Sequence, residues 1–171
     1  FWGFLQAYGN KDPKVGARMP TPAEMEGQIF AGLAARLTGM NFYMYYHTPS
    51  WTFHEVNLVD AYMNPQPEAA ATLACMSRIA GELRGVGELL ARGDYLENWQ
   101  DRVKVEIPEF ETYYEGRGTR QTHPQAKVGL YHLPDYLGDA AVFVNQQVDH
   151  DLRLPVQIAP VDGKRTPLLV G

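Results

Sequence analysis

The most constraining feature of the chain is an alternation in its first half. Phe1–Ala7 (FWGFLQA) is a short apolar run without helical spacing and reads as a buried strand. A polar loop, Tyr8–Pro20, comes next, with Gly9, Asn10, Asp12, Pro13 and Gly16 as loop formers. Thr21-Pro22-Ala23-Glu24 then has the marks of a helix start: Thr21 caps, Pro22 suits the first helical position, and Glu24 completes a capping box. Met25, Ile29, Leu33 and Leu37 recur every four residues beside Phe30 and Ala34, and Gly39 offers a stop. Met40–Tyr46 (MNFYMYY) is a second strand, apolar on both faces, which predicts cover on each side. A long aromatic loop, His47–Gln66, leads to Pro67 and a helix whose Leu73, Met76, Ile79, Leu83, Val86 and Leu90 share a face, with Gly93 as its end. Strand, helix, strand, helix is the order of parallel βα units.

Two parallel strands with open edges do not stand alone in water. Residues 1–93 are therefore expected to close a larger α/β sheet or barrel. A chain that starts at Phe1 and stops in the apolar run Pro167-Leu168-Leu169-Val170-Gly171 adds to the expectation of a longer polypeptide. From about Asp94 the pattern changes to short strands with turn signals: Arg102–Ile107, Phe110–Tyr114, Lys127–His132, Ala140–Asn145 and Leu152–Ile158. Residues 94–171 are expected to form an antiparallel β-sandwich, complete or in part. The expected fold class is thus α/β plus all-β.

Charge and cysteine content exclude several functions. Fifteen basic against twenty acidic residues give a net charge of -5, which argues against a nucleic-acid partner. One cysteine, Cys75, excludes an internal disulfide and a multi-thiolate metal site. It falls beside Leu73 and Met76 and reads as a buried, inert thiol. No apolar run is long enough for a membrane span. No Gly-rich phosphate loop, G-x-S-x-G or H-E-x-x-H motif occurs, and no cofactor is expected.

Three stretches carry a resemblance. Trp2-Gly3-Phe4-Leu5-Gln6-Ala7-Tyr8-Gly9, then Arg18-Met19-Pro20-Thr21-Pro22-Ala23-Glu24-Met25, then Gly39-Met40-Asn41-Phe42-Tyr43-Met44-Tyr45-Tyr46 resemble the end of glycoside-hydrolase-type (β/α)8 barrels. Ala141-Val142-Phe143-Val144-Asn145 looks like a strand of their C-terminal β-domain. The resemblance implies that Phe1–Ala7 is strand 7, Met40–Tyr46 strand 8 and Pro67–Ala91 the last barrel helix. The fold it implies is the last two βα units of a (β/α)8 barrel followed by a β-sandwich. It also implies a carbohydrate ligand, an extracellular or cell-surface setting, and a partner in the remainder of the parent chain or another subunit.

Barrel active sites lie at the strand C-termini. That places Gln6, Tyr8, Tyr46 and His47 at the active face, with Trp51 and His54 on the loop above it. Rings stack on pyranose faces, while amides and imidazoles bond hydroxyls. The expected roles are hydrogen bonding from Gln6 and His47 and stacking from Tyr46 and Trp51. Glycoside hydrolysis usually needs two carboxyl groups. Gln6 is an amide, so either the catalytic carboxylates are upstream, outside this chain, or the barrel is not a hydrolase of that kind. Glu24 reads as a capping residue, and Glu55 and Asp60 as solvated loop acids. Trp2 reads as core. His47 and His54 are too loosely spaced for a metal site, and Asp149-His150-Asp151 reads as a solvated turn; no metal is expected. Two other functions fit the same sequence: a non-enzymatic structural or assembly component, such as part of a surface layer or filament, and a free-standing sugar-binding module.

Overall fold

The computed structural model describes residues 2–10, 18–43, 56–60, 62–114, 118–134, 138–147, 150–159 and 168–170. They fall into two compact units, one of Phe1–Gly32 with Leu37–Glu88 and one of Leu33–Arg36 with Leu89–Gly171.

The first unit contains β1 (Trp2–Gln6), β2 (Tyr8–Gly9), most of α1 (Pro22–Ala34), β3 (Gly39–Tyr43) and β4 (Val56–Asn57). A 3₁₀ turn (Pro67–Ala69) then leads into α2 (Ala70–Arg92). β1 and β3 pair in parallel, from Trp2 opposite Gly39 to Gln6 opposite Tyr43, with α1 in the crossover between them. The alternation of a strand decides what each face does. Leu5, Met40 and Phe42 turn inward onto a core of Ala7, Met25, Ile29, Val56, Leu58, Ala69, Cys75 and Ile79. Met25 and Leu58 are fully buried, and an aliphatic side chain taken out of water in this way contributes about 1.5–3 kcal/mol. Trp2 (69% exposed), Phe4 (73%) and Tyr43 (43%) face water.

Met40–Tyr46 is expected to be covered on both faces; in its described part, Gly39–Tyr43, one face packs on the core, and residues 44–46 lie outside the described residues. One expectation is corrected. Trp2, expected in the core, lies on the bare face, because the outward alternation it shares with Phe4 carries it away from α1. Its indole lies against Gly39, where a β-carbon would fall 2.7 Å from Trp2 Cδ2.

The helix starts as its sequence directs. The Glu24 amide donates to Thr21 Oγ1 (3.2 Å), and Glu24 Oε2 accepts from the Thr21 amide (2.8 Å), so the capping box is formed in both directions. The stop differs from expectation. α1 ends at Ala34 rather than near Gly39, with Arg36 in the left-handed region (φ 66°). The Leu37 amide bonds the Gly32 carbonyl (2.9 Å) and the Arg36 amide bonds the Leu33 carbonyl (3.0 Å), a Schellman closure built on a non-glycine residue. α2 is tied to the start of α1 by Thr72 Oγ1 donating to the Pro20 carbonyl (2.8 Å) and by the Arg78–Glu26 ion pair (2.7 Å).

The second unit contains β5 (Asp94–Tyr95), β6 (Val103–Lys104), β7 (Glu109–Tyr114), β8 (Thr119–Pro124), β9 (Ala126–Leu133), β10 (Gly138–Asn145), β11 (Gln157–Ile158) and β12 (Leu168–Val170). β9 and β10 form an antiparallel pair eight residues deep, with β5 antiparallel beyond β9 and β12 parallel beyond β10. β6 pairs with β11, and β7 with β8, as separate two-stranded ribbons. Val103, Leu130 and Ala141 are the buried centre, lined by Leu96, Trp99, Phe143, Val156 and Ile158. In the same unit the Tyr131 and Tyr95 hydroxyls donate to the Leu33 and Ala34 carbonyls at the helix end, the Leu33 oxygen also accepting from the Arg36 amide. Burial pushes the Tyr131 phenol up to about 12.

This unit also buries a carboxylate. Asp139 has a side chain with no exposure and sits directly across from His132, whose Nδ1 is 2.9 Å from Asp139 Oδ1. The distance suits a hydrogen bond between the ring nitrogen and the carboxyl oxygen. Asp139 Oδ2 forms an ion pair with Arg102 Nη2 at 3.1 Å, without a linear hydrogen bond. Asp139 is the buried member and Arg102 and His132 are partly exposed, so removing a partner strands the carboxylate. His132→Ala is expected to cost about 3 kcal/mol in urea denaturation; a loss below about 1 kcal/mol contradicts this account.

Candidate functional site

Because β1 and β3 are parallel, both end on the same side, and the residues just beyond those ends make up the candidate site. β1 runs straight into β2, which pairs antiparallel with β4, with Tyr8 opposite Asn57 and Gly9 opposite Val56. The Tyr8 and Tyr43 rings meet edge to face at 5.8 Å. A hydrogen-bonded corner holds this end together. Gln6 Nε2 donates to the carbonyls of Tyr8 (3.0 Å) and Arg18 (2.8 Å), while the Gln6 amide donates to Gln28 Oε1 on α1 (3.0 Å). Arg18 in turn clasps Glu24 with both guanidinium nitrogens, and Arg18 Nη1 lies 2.6 Å from Glu24 Oε2.

Gly9 makes the corner possible. A β-carbon there would lie 2.0 Å from the Met19 amide nitrogen and 2.6 Å from the Arg18 carbonyl carbon, both backbone atoms that cannot swing away. The Gln-x-aromatic-Gly run is thus a local solution: Gln6 bridges two carbonyls, and Gly9 lets the returning segment come close. With both Nε2 hydrogens committed, acceptor chemistry is what Gln6 has to offer a ligand.

Glu24 sits among donors. The Arg18 guanidinium, foremost, together with the Thr21 amide and hydroxyl, outweighs the opposing desolvation and holds its carboxyl at about 2. A carboxylate so committed is a poor general acid, in keeping with its capping role.

The loop after β4 returns as a tight hairpin. Val59 bridges Pro65, the Gln66 amide bonds the Leu58 carbonyl (3.1 Å), and Gln66 Oε1 accepts from the Asn57 amide (2.9 Å). At its tip Asp60 Oδ1 accepts from the amides of Tyr62 (2.8 Å) and Asn64 (2.9 Å), and Oδ2 from Asn64 Nδ2 (3.2 Å). The Asn64 amide, first, and then the Asn64 and Tyr62 donors hold the Asp60 carboxyl below its usual range against desolvation. Tyr62 is 85% exposed, and Met63 is 60% exposed in the left-handed region (φ 65°).

Of the residues expected at the site, the structure brings Gln6 and Tyr8 together at the end of β1. Tyr46, His47, Trp51 and His54 lie outside the described residues, as do Glu55 and Asp149. Sequence reasoning passed over Tyr43, which reaches Tyr8; the register of Gln6 against Tyr43 identifies it once the strands are known to be parallel. It also passed over the Arg102–His132–Asp139 cluster, in which the β9–β10 register brings His132 to Asp139 and the segment before β6 brings Arg102. Among the described residues no group of His, Cys, Asp and Glu is arranged to hold a metal ion. No helix among them is long and apolar enough to cross a membrane. No family model, curated protein or solved structure matches the chain.

Two substitutions test the corner. Gly9→Ala is expected to destabilise the protein by about 2 kcal/mol, read by urea denaturation; a neutral effect contradicts the close approach of residues 18–19. Glu24→Gln tests its electrostatics. Because the folded-state pKa of Glu24 is depressed, its stabilisation is complete above the unfolded value near 4.5 and fades as pH falls toward about 2. The deficit of Glu24→Gln relative to wild type should therefore be larger at pH 6 than at pH 3, and an equal deficit at both would contradict the assignment.

Proposed function

We propose that this chain is the closing part of a glycoside-hydrolase-type (β/α)8 barrel followed by a β-sandwich-like domain. It contributes substrate-binding groups to a carbohydrate-active protein, and the catalytic carboxylates are upstream. One observation carries the reading. β1 and β3 form a parallel pair with a helix in the crossover, one face sealed against the core, and an opposite face that presents Trp2, Phe4 and Tyr43 to water. A barrel strand has that division: one face toward the helices and one toward the interior, completed by strands on both sides. Three large rings in water are costly, and each strand of the pair has a single partner among the described strands.

In this reading Gln6 accepts from a sugar hydroxyl and Tyr8 borders the site at the strand end. Tyr46 and Trp51 stack on pyranose rings, and His47 and His54 supply imidazole hydrogen bonds. A parallel strand pair with helices is only one part of a barrel that needs roughly 200 residues or more. The absence of an acid at position 6 then reflects division of labour within the barrel: this end binds, and the upstream strands supply the acid–base pair.

The alternative, an assembly component, draws on the β7–β8 ribbon. It pairs only with itself among the described strands and leaves both edges open for another chain.

The reading frame upstream of the Phe1 codon decides between them. The barrel reading expects successive strand–helix periods with two carboxylates at strand ends, and glycosidase activity in the full product that is lost when either is changed to its amide. A start codon immediately before Phe1 overturns it.

A further inference from the structure

An open sheet edge is a row of unpaired N–H and C=O groups, and proteins keep such edges short, charged with lysine, broken by proline or covered. In the second unit β7 and β8 depart from this. Each is six residues long, and among the described strands they pair only with one another, so each keeps a free edge. The other strands of this unit with a free edge among the described strands, β5, β6, β11 and β12, are two or three residues long. No Lys, Pro or Gly guards Glu109–Tyr114. A two-stranded ribbon is marginal in water, and a further strand stabilises it.

The two edges differ in charge. β7 carries Glu109 and Glu111 and no base, while β8 carries Arg120 and no acid. Alternation and register put Glu109, Glu111 and Tyr113 on one face with Arg120, Thr122 and Pro124, and all six are exposed. The other face is half-buried at Phe110, Thr112 and His123, where the Phe110 and His123 rings lie 5.7 Å apart and His123 Nε2 is 3.0 Å from Thr112 Oγ1. Within the ribbon Arg120 reaches Glu111 only diagonally, at 3.5 Å, with both side chains in water (76% and 62% exposed). A guanidinium has five N–H donors, so Arg120 can serve a second carboxylate.

We propose that β7 of one copy of this chain adds antiparallel to β8 of a second copy, so that copies assemble head to tail. Charge selects this occupant and this pairing. With Glu111 opposite Arg120 of the second copy, Glu109 falls opposite Thr122, and residues 109–113 run along residues 118–122. Pro124, which has no amide hydrogen to give, lies beyond the paired span. Each Arg120 then stands between its own Glu111 and that of the neighbour. Joining β7 to β7 would bring two acidic strands together without a base, and β8 to β8 two basic strands without an acid; like charges across a strand pair are destabilising. A contact between unlike edges does not close on itself as a two-fold contact does, so copies add in series. The inference names the partner for the assembly reading and rests on the second unit alone.

Sedimentation velocity of the chain from about 10 μM to about 1 mM tests it. The expected result is mass that rises with concentration past the dimer, with association weakened at least about threefold between about 50 mM and about 500 mM salt. Glu111→Arg and Arg120→Glu should each weaken association about fivefold, since each sets like charges across the seam. An equimolar mixture of the two variants should restore it, because the altered β7 of one then meets the altered β8 of the other. Both side chains are exposed, so neither variant should move the denaturation midpoint; the salt dependence of the unaltered chain tests the charged seam without any substitution. A monomer at every concentration, association that stops at the dimer, or variants that associate as the unaltered chain does would each overturn the proposal. Any of these leaves the carbohydrate reading where it stands, since no part of the barrel enters the test.

Discussion

Parallel pairing of β1 with β3 is the constraint on which the rest of the first unit depends. Parallel strands need a crossover that returns the chain to its starting end, and α1 provides it. The crossover must be fixed where it leaves β1 and where it re-enters β3. Gln6, Gly9, Arg18 and Glu24 fix the first junction, with backbone hydrogen bonds and a capping carboxylate in one connected corner. Arg36 fixes the second, in a left-handed turn that stops the helix before β3 begins. With both ends set, alternation along the strands does the rest: Leu5, Met40 and Phe42 go inward, and Trp2, Phe4 and Tyr43 go out.

The second unit is organised by a different device. Its β9–β10 pair is apolar along most of its length, yet it encloses Asp139. A buried carboxylate is tolerable only when its charge is met, and His132 and Arg102 meet it from the neighbouring strand and from the segment before β6. The same register that puts His132 opposite Asp139 also puts it opposite Asp94 on the other side. Register along this sheet is therefore specified by charge as well as by apolar pattern, since a slip of one residue would strand Asp139.

Local signals in the sequence were legible where they act locally. Thr21 and Glu24 announce a capping box through a fixed spacing, and the box is formed. The apolar period of Met25 and Ile29 places the buried face of α1. Cys75 reads as a small buried residue, and it is one. The end of α1 was not legible, because a left-handed Arg36 is chosen by the closure around it and carries no residue-type signal. The exposure of Trp2 was hidden for a related reason. An aromatic residue in an apolar strand reads as core, and only the position of α1 tells which face is covered. At the candidate site the strand pattern places Gln6 at the end of β1 and Tyr8 just beyond it. Tyr43 needed the parallel register, and Asp139 with His132 needed a pairing of strands that no short motif encodes.

The proposed barrel has further parallel strands completing the bare face of β1 and β3 and the edges that are unpaired among the described strands. The most direct test is amide hydrogen exchange at Gly3–Gln6 and Met40–Tyr43, compared between this chain and the product of the whole open reading frame that encodes it, whatever its length, with acrylamide quenching of Trp2 read alongside. The account expects exchange at these amides to slow by at least about tenfold in the full product, and Trp2 to become shielded from the quencher. Unchanged exchange and an equally accessible Trp2 would contradict it.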